Sequence, residues 1–199
     1  MNFEFYGNTV WKWLLFFVTA LLSYILLKIL TNTLKKHLNE KIPVSLKESL
    51  SYFVVIFQQT KLFFLLILSI YIGTIWLTLP DKVSLYLRTI VIFAIWIQVG
   101  IWANELIANY INLKSNQTEN GEDRTTMNAL KTILKIVLWS IIFILLVDNI
   151  PGVEITALIT GLGIGGIAIG LAVQNVLGDL FSSLSISLDK PFVIGDFIQ

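Results

Sequence analysis

Gly161-x-Gly163-x-x-Gly166 has the spacing that, between a strand and a helix of a βαβ unit, lets backbone amides cradle a dinucleotide pyrophosphate. Here the three glycines lie inside residues 155–173, an apolar run without a charge, so that chemistry is set aside. The single histidine, His37, stands beside Lys36 in a basic segment. With no cysteine and no second histidine, the chain offers no ligand set for zinc. Glu105, Asp179 and Lys61 are open to reading as charges along an ion path, but they fit better as interfacial side chains whose ends reach water. Catalytic residues, metals and cofactors are therefore not expected. A net charge of +1 without a basic cluster gives no basis for nucleic-acid binding.

The chemistry on offer is packing. Glycine inside a helix costs about 1 kcal/mol relative to alanine, yet the run carries Gly161, Gly163, Gly165, Gly166 and Gly170. Helices in lipid associate by close packing, which small residues permit. Gly163, Gly166 and Gly170 keep to one stripe at spacings of three and four, and Ala168 and Ala172 make a second on another face. A helix gripped on both sides suits a ring of identical helices. Ile167 and Leu171, four apart between the small residues, would then project toward its centre. The glycine stripe also has a plainer reading, as packing inside a monomeric bundle.

These residues need a membrane to position them. The chain is 56% hydrophobic with a mean hydropathy of +0.79, which marks an integral membrane protein. Five spans are expected, at residues 11–30, 62–79, 85–103, 130–147 and 155–173. Residues 1–9 read as a polar-aromatic tail, and the first span as an anchor rather than a cleaved signal. The segment 113–128 is the long polar stretch and reads as a loop and domain boundary. It separates a three-helix part (residues 1–112) from a core pair (129–190), with 191–199 beginning a strand-forming domain. Lys35, Lys36, Lys41, Lys47, Lys114 and Arg124 follow spans one and three, whereas Lys82 alone occupies the other two loops. By the positive-inside tendency the N-terminus is outside and the C-terminus cytoplasmic, in the cell (inner) membrane.

A straight helix over residues 154–188 would be roughly 52 Å long against a hydrocarbon core of about 30 Å. Gln174, Asn175 and Gly178 interrupt the apolar run, so a hinge is expected there. Val176, Leu177, Leu180, Phe181, Leu184 and Leu188 then recur with helical spacing. The alternation at residues 184–188 leaves a short strand open as a second reading.

The stretch GLGIGGIAIGLAVQNVLGDLFSSLSISLDKPFVIGDFI resembles the pore helix of the small-conductance mechanosensitive channel (MscS-like) family over residues 155–199, and the preceding helix more loosely. The resemblance implies an all-α membrane protein forming a ring of seven subunits. Its last helix would be kinked and pore-lining, and the channel would open under tension to pass ions and small solutes in hypo-osmotic shock. It implies a hydrophobic seal at Ile167 and Leu171, a glycine packing face at Gly163, Gly166 and Gly170 opposed by Ala168, and a bend at Gln174-Asn175. Three features depart from the family pattern. Asn175 stands where glycine is frequent, Ile164 and Thr160 where small alanines are common, and Gln199 falls where a cytoplasmic domain is expected to begin. The partners implied are further copies of the chain, lipids and permeating solutes. A non-conducting scaffold or regulatory subunit packing through its glycine face is the alternative, and a transporter the third reading.

Overall fold

The computed structural model describes residues 4–40, 56–116 and 121–189. They divide into two compact units, Met1–Val153 and Glu154–Gln199. In the first, a two-residue-stranded hairpin (β1, Glu4–Phe5, antiparallel to β2, Asn8–Thr9) leads into helix α1, Val10–Glu40. Tyr6 and Gly7 both take positive φ, 53° and 70°, as a tight primed hairpin turn requires. Of the residues expected to be a tail (1–9), 4–9 are therefore a folded element.

Helix α2, Leu62–Gly73, continues as a 3-10 turn over Thr74–Trp76 and ends in the extended Leu77. The span expected over 62–79 is thus helical only as far as Trp76. Four helical stretches are long and apolar enough to cross a membrane: Val10–Lys36, Asp81–Ser115, Arg124–Asp148 and Thr156–Ile186. Leu62–Trp76 is a shorter apolar helix. The four longer helices, by their length and composition, make the chain a multi-pass, all-α membrane protein.

Helices α1 and α2 run antiparallel and touch through small residues. A Cβ added at Gly73 would stand 2.9 Å from the Phe16 carbonyl oxygen and 3.0 Å from the Ala20 Cβ, so the backbones meet where no side chain intervenes. One turn earlier, Ser69 is buried and donates to the Leu65 carbonyl at 2.6 Å; Ser23 of α1 reaches the Ser69 carbonyl at 3.5 Å. Leu65, Ser69 and Gly73, spaced by four, form the buried stripe of α2.

Helix α3, Asp81–Asn116, and helix α4, Gly121–Asp148, form a long antiparallel hairpin. Val91, Ala94, Ala108 and Ile111 of α3 and Ile142 of α4 are buried. Gly100 lets α4 approach: a Cβ there would lie 3.3 Å from Ile142 and 3.4 Å from Trp139. Near the polar end, Lys131 Nζ donates to Asn112 Oδ1 at 3.0 Å. The loop expected over 113–128 is helical except for 117–120, which lie outside the described residues. Outside lipid, polar and charged residues are adequate helix formers, so the composition of this stretch does not oppose a helix. The unit boundary falls after Val153, so α4 belongs to the same compact unit as α1–α3. The turn after α4 contains Gly152 at φ 83°, a left-handed conformation that suits glycine.

Two buried amides hold α2 in place. At its start, Gln98 of α3 accepts from the Lys61 N–H at 3.0 Å and donates to the Gln59 carbonyl at 3.1 Å. At its end, Asn8 accepts from the Thr78 N–H at 2.8 Å and donates to the Thr78 carbonyl at 2.9 Å. Gln98 is 0% and Asn8 1% exposed. Neither end of α2 has a side-chain cap of its own, and in an apolar medium the exposed backbone groups need partners from neighbouring elements.

Candidate functional site

The second unit contains one described helix, α5, Thr156–Asp189. Its first part is glycine- and alanine-rich without losing helicity, because the alternatives open to a polar loop are closed in lipid, where the backbone must bond to itself. The helix is unbroken through Gln174, Asn175 and Gly178, and residues 184–188 are helical, which removes the strand reading. The segment expected as a strand, residues 192–198, lies outside the described residues.

An unbroken helix fixes which residues share a face. At about 100° per residue, Gly163, Gly166 and Gly170 fall within about 60° of one another. Ala157, Gly161, Gly165, Ala168 and Ala172 occupy a second sector of about 80°, and Ile167 and Leu171, one turn apart, lie in the gap between the two. Leu162, Ile169 and Val173 take the far side. The helix thus has two small faces, a narrow apolar ridge between them and a bulky apolar back.

The side chains on that ridge are open: Ile167 is 66% and Leu171 67% exposed. A Cβ added at Gly161, Gly163, Gly165, Gly166 or Gly170 would meet nothing within 4 Å. In one copy of the chain, then, the low-volume faces have no contact that explains them, in contrast to Gly73 and Gly100.

The hinge residues lie in the same helix. Gln174 falls near the glycine sector and Asn175 near the alanine sector by the same rotation. Gly178 has room for a side chain. Its carbonyl accepts from Ser182 Oγ at 2.9 Å, a back-bond that competes with the helix ladder and favours bending. Thr160 makes the same bond to the Thr156 carbonyl at 2.7 Å.

The described residues hold no cluster of three or more His, Asp and Glu side chains able to bind a metal. Sequence reasoning did not single out Asn8, Gln98 or Gly73, although each sets a contact between elements. A glutamine in an apolar run was the available signal for Gln98, since a polar side chain at membrane depth needs a partner.

Comparison with known proteins points the same way as the helix geometry. Residues 132–174 match the family described as "Mechanosensitive ion channel, transmembrane helices 2/3", spanning most of α4 and the glycine-rich part of α5. The small-conductance mechanosensitive channel MscMJ of Methanocaldococcus jannaschii is 30% identical over 215 residues, covering 100% of this chain and 58% of that protein. The large-conductance mechanosensitive channel MscMJLR of the same organism is 29% identical, covering 96% of this chain and 54% of its own. The low conductance mechanosensitive channel YnaI of Escherichia coli is 34% identical over 86 residues, 43% of this chain and 25% of that one. The chain therefore spans little more than half the length of the two M. jannaschii relatives. No solved structure matches.

Proposed function

From the premise that this chain is an MscS-like membrane protein, we propose that it is one subunit of a homo-oligomeric channel opened by membrane tension. The observation that carries the proposal is the three-sector surface of α5. Two uncovered small faces flank Ile167 and Leu171, an arrangement that serves a ring of like helices and has no use in a helix alone. The resemblance implies seven subunits.

In that ring Gly163, Gly166 and Gly170 of one copy pack against Ala168 and its neighbours in the next. Ile167 and Leu171 form two stacked apolar rings, and a narrow apolar constriction closes to ions by dewetting. No charged ring stands at that level, so selection among ions is weak and small solutes pass in hypo-osmotic shock. Opening is a switch between two packings of the small faces, biased toward the wider one by tension. Gln174, Asn175 and Gly178 form the hinge, and the Ser182 back-bond favours the Gly178 end. The apolar helices α1–α3 form the lipid-facing paddle that couples the ring to the bilayer.

The shorter α2 counts as the fifth crossing. Its twelve α-helical residues and three 3-10 residues span roughly 24 Å. The extended Leu77 brings this close to the hydrocarbon thickness. Five crossings with the basic loops inside put the N-terminus outside and the C-terminus in the cytoplasm.

The test is patch-clamp recording of the reconstituted chain under graded suction, beside Leu171→Ser. Stretch-activated currents, with a lower threshold or a steady leak in the variant, are expected. A stable oligomer that passes no current at any sub-lytic tension would instead establish a scaffold.

A further inference from the structure

Between the end of α2 and the start of α3 lies a cavity of about 610 Å³, within the range of ligand sites. Its polar lining includes Tyr71, Asp81 and Arg88, and its apolar lining includes Leu77 and Leu85. The two hydroxyls beside it are committed: Thr74 donates to the Tyr71 carbonyl at 2.6 Å and Ser84 to the Asp81 carbonyl at 2.8 Å. Among the described residues, the Arg88 guanidinium, the Asp81 carboxylate and the Tyr71 hydroxyl have no hydrogen bond or ion pair.

Arg88 lies seven residues inside α3 from Asp81, about 10 Å deeper along the axis. An arginine two turns inside a span is costly unless its head reaches a polar partner. The long side chain can rise toward the interface, and what it meets there is the phosphate layer. Arginine binds phosphate with its planar fork, and Tyr71 adds a neutral donor on the same cavity. Asp81 would repel a purely anionic ligand. It stands on the outer side of Arg88, though, at two turns of the same helix, so it is placed for a cation carried beyond the phosphate. A phospholipid with an amine headgroup has that order of charge, phosphate deeper and ammonium outward.

We propose that this cavity binds the headgroup of a zwitterionic aminophospholipid from the leaflet facing Pro80, with Arg88 and Tyr71 on the phosphate and Asp81 on the amine. The Leu77 and Leu85 side chains cover the glycerol end. A phosphate group also occurs free in solution. The apolar lining and the depth of Arg88 favour the lipid source. The site does not depend on the channel reading and is tested by binding alone.

The experiment is native mass spectrometry of the delipidated full chain in detergent micelles, titrated with phosphatidylethanolamine, phosphatidylglycerol or inorganic phosphate. Wild type is expected to retain phosphatidylethanolamine over phosphatidylglycerol, and millimolar inorganic phosphate should not displace it. Arg88→Gln should lower phosphatidylethanolamine retention about tenfold, and Arg88→Lys, which keeps the charge but loses the fork, by less. Asp81→Asn should reverse the preference between the two lipids, while Lys82→Gln, a neighbouring charge off the cavity, should change neither. Equal uptake by wild type and Arg88→Gln, or no preference between the lipids, would overturn the proposal. Displacement by inorganic phosphate would reassign the cavity to a free anion. A circular dichroism spectrum like wild type guards the Arg88→Gln arm against misfolding, and if that variant fails, Arg88→Lys decides.

Discussion

The carboxamide of Asn8 grips the backbone of Thr78 in both directions, 70 residues along the chain: its oxygen accepts from the Thr78 N–H at 2.8 Å and its nitrogen donates to the Thr78 carbonyl at 2.9 Å. The same oxygen takes the Thr78 hydroxyl at 2.7 Å, and the nitrogen also reaches the Tyr6 carbonyl at 3.0 Å. Asn8→Leu would leave several of those groups buried without partners, at a cost of about 2–3 kcal/mol. Thermal unfolding in detergent should show a clearly lower midpoint. The chain has no cysteine, so an Asn8→Cys, Thr78→Cys double variant should cross-link cleanly on oxidation. Absence of that cross-link in folded protein would refute the antiparallel return of α2.

Gln98 is the matching clasp at the other end. Because it accepts from the Lys61 N–H and donates to the Gln59 carbonyl, Gln98→Leu removes the partner of a helix-start amide and of a carbonyl together. The expected loss is about 1–3 kcal/mol. Hydrogen exchange should rise first in residues 59–65 while α4 keeps its protection. A uniform rise across the first unit would show that Gln98 has no local role.

These clasps mark where the sequence was silent. Four of the apolar stretches were legible as membrane-length helices because a run of that length with so few charges has few uses outside a membrane. The helical continuation of the last span was legible, since the 3.6-residue recurrence of Val176, Leu180, Leu184 and Leu188 outlasted the five-residue alternation that suggested a strand. The bend expected at Gln174, Asn175 and Gly178 is not seen in the unbroken helix. The 62–79 run looked uniform by hydropathy, which does not register that the helix tightens at Thr74 and opens at Leu77. Asn8 sat in a polar tail with nothing in its spacing to announce burial. The glycines of α5 drew attention away from Ser69-x-x-x-Gly73, the small-residue pair whose close contact the structure does display.

Gly73 and Gly100 allow that contact to be measured. At Gly73 the obstacle is the Phe16 backbone oxygen, 2.9 Å from an added Cβ, and a backbone cannot turn aside. Gly73→Ala should cost about 1–3 kcal/mol as α1 and α2 are forced apart. At Gly100 the nearest atoms are side chains, at 3.3 Å and beyond, which can yield by a few tenths of an ångström. Alanine there also gains up to about 1 kcal/mol of helix propensity, so Gly100→Ala should be near neutral. Unfolding midpoints in one detergent test the order; equal losses at both sites would contradict it.

Gly166 presents the opposite case, an open site in a single copy. Gly166→Leu should leave the helical content of the monomer unchanged, and it should gain, if anything, from the loss of a mid-helix glycine. In the proposed ring the added side chain stands between neighbouring copies, where close approach is the source of affinity. The variant should therefore run as smaller species after chemical cross-linking and size-exclusion chromatography, whereas Ile169→Leu, on the bulky back, should retain the wild-type oligomer. Because Ile169→Leu puts leucine in the same helix without adding volume, a difference between the two reads the bulk added on the glycine face and not the presence of leucine. An intact oligomer with Gly166→Leu would remove the glycine sector from the subunit interface.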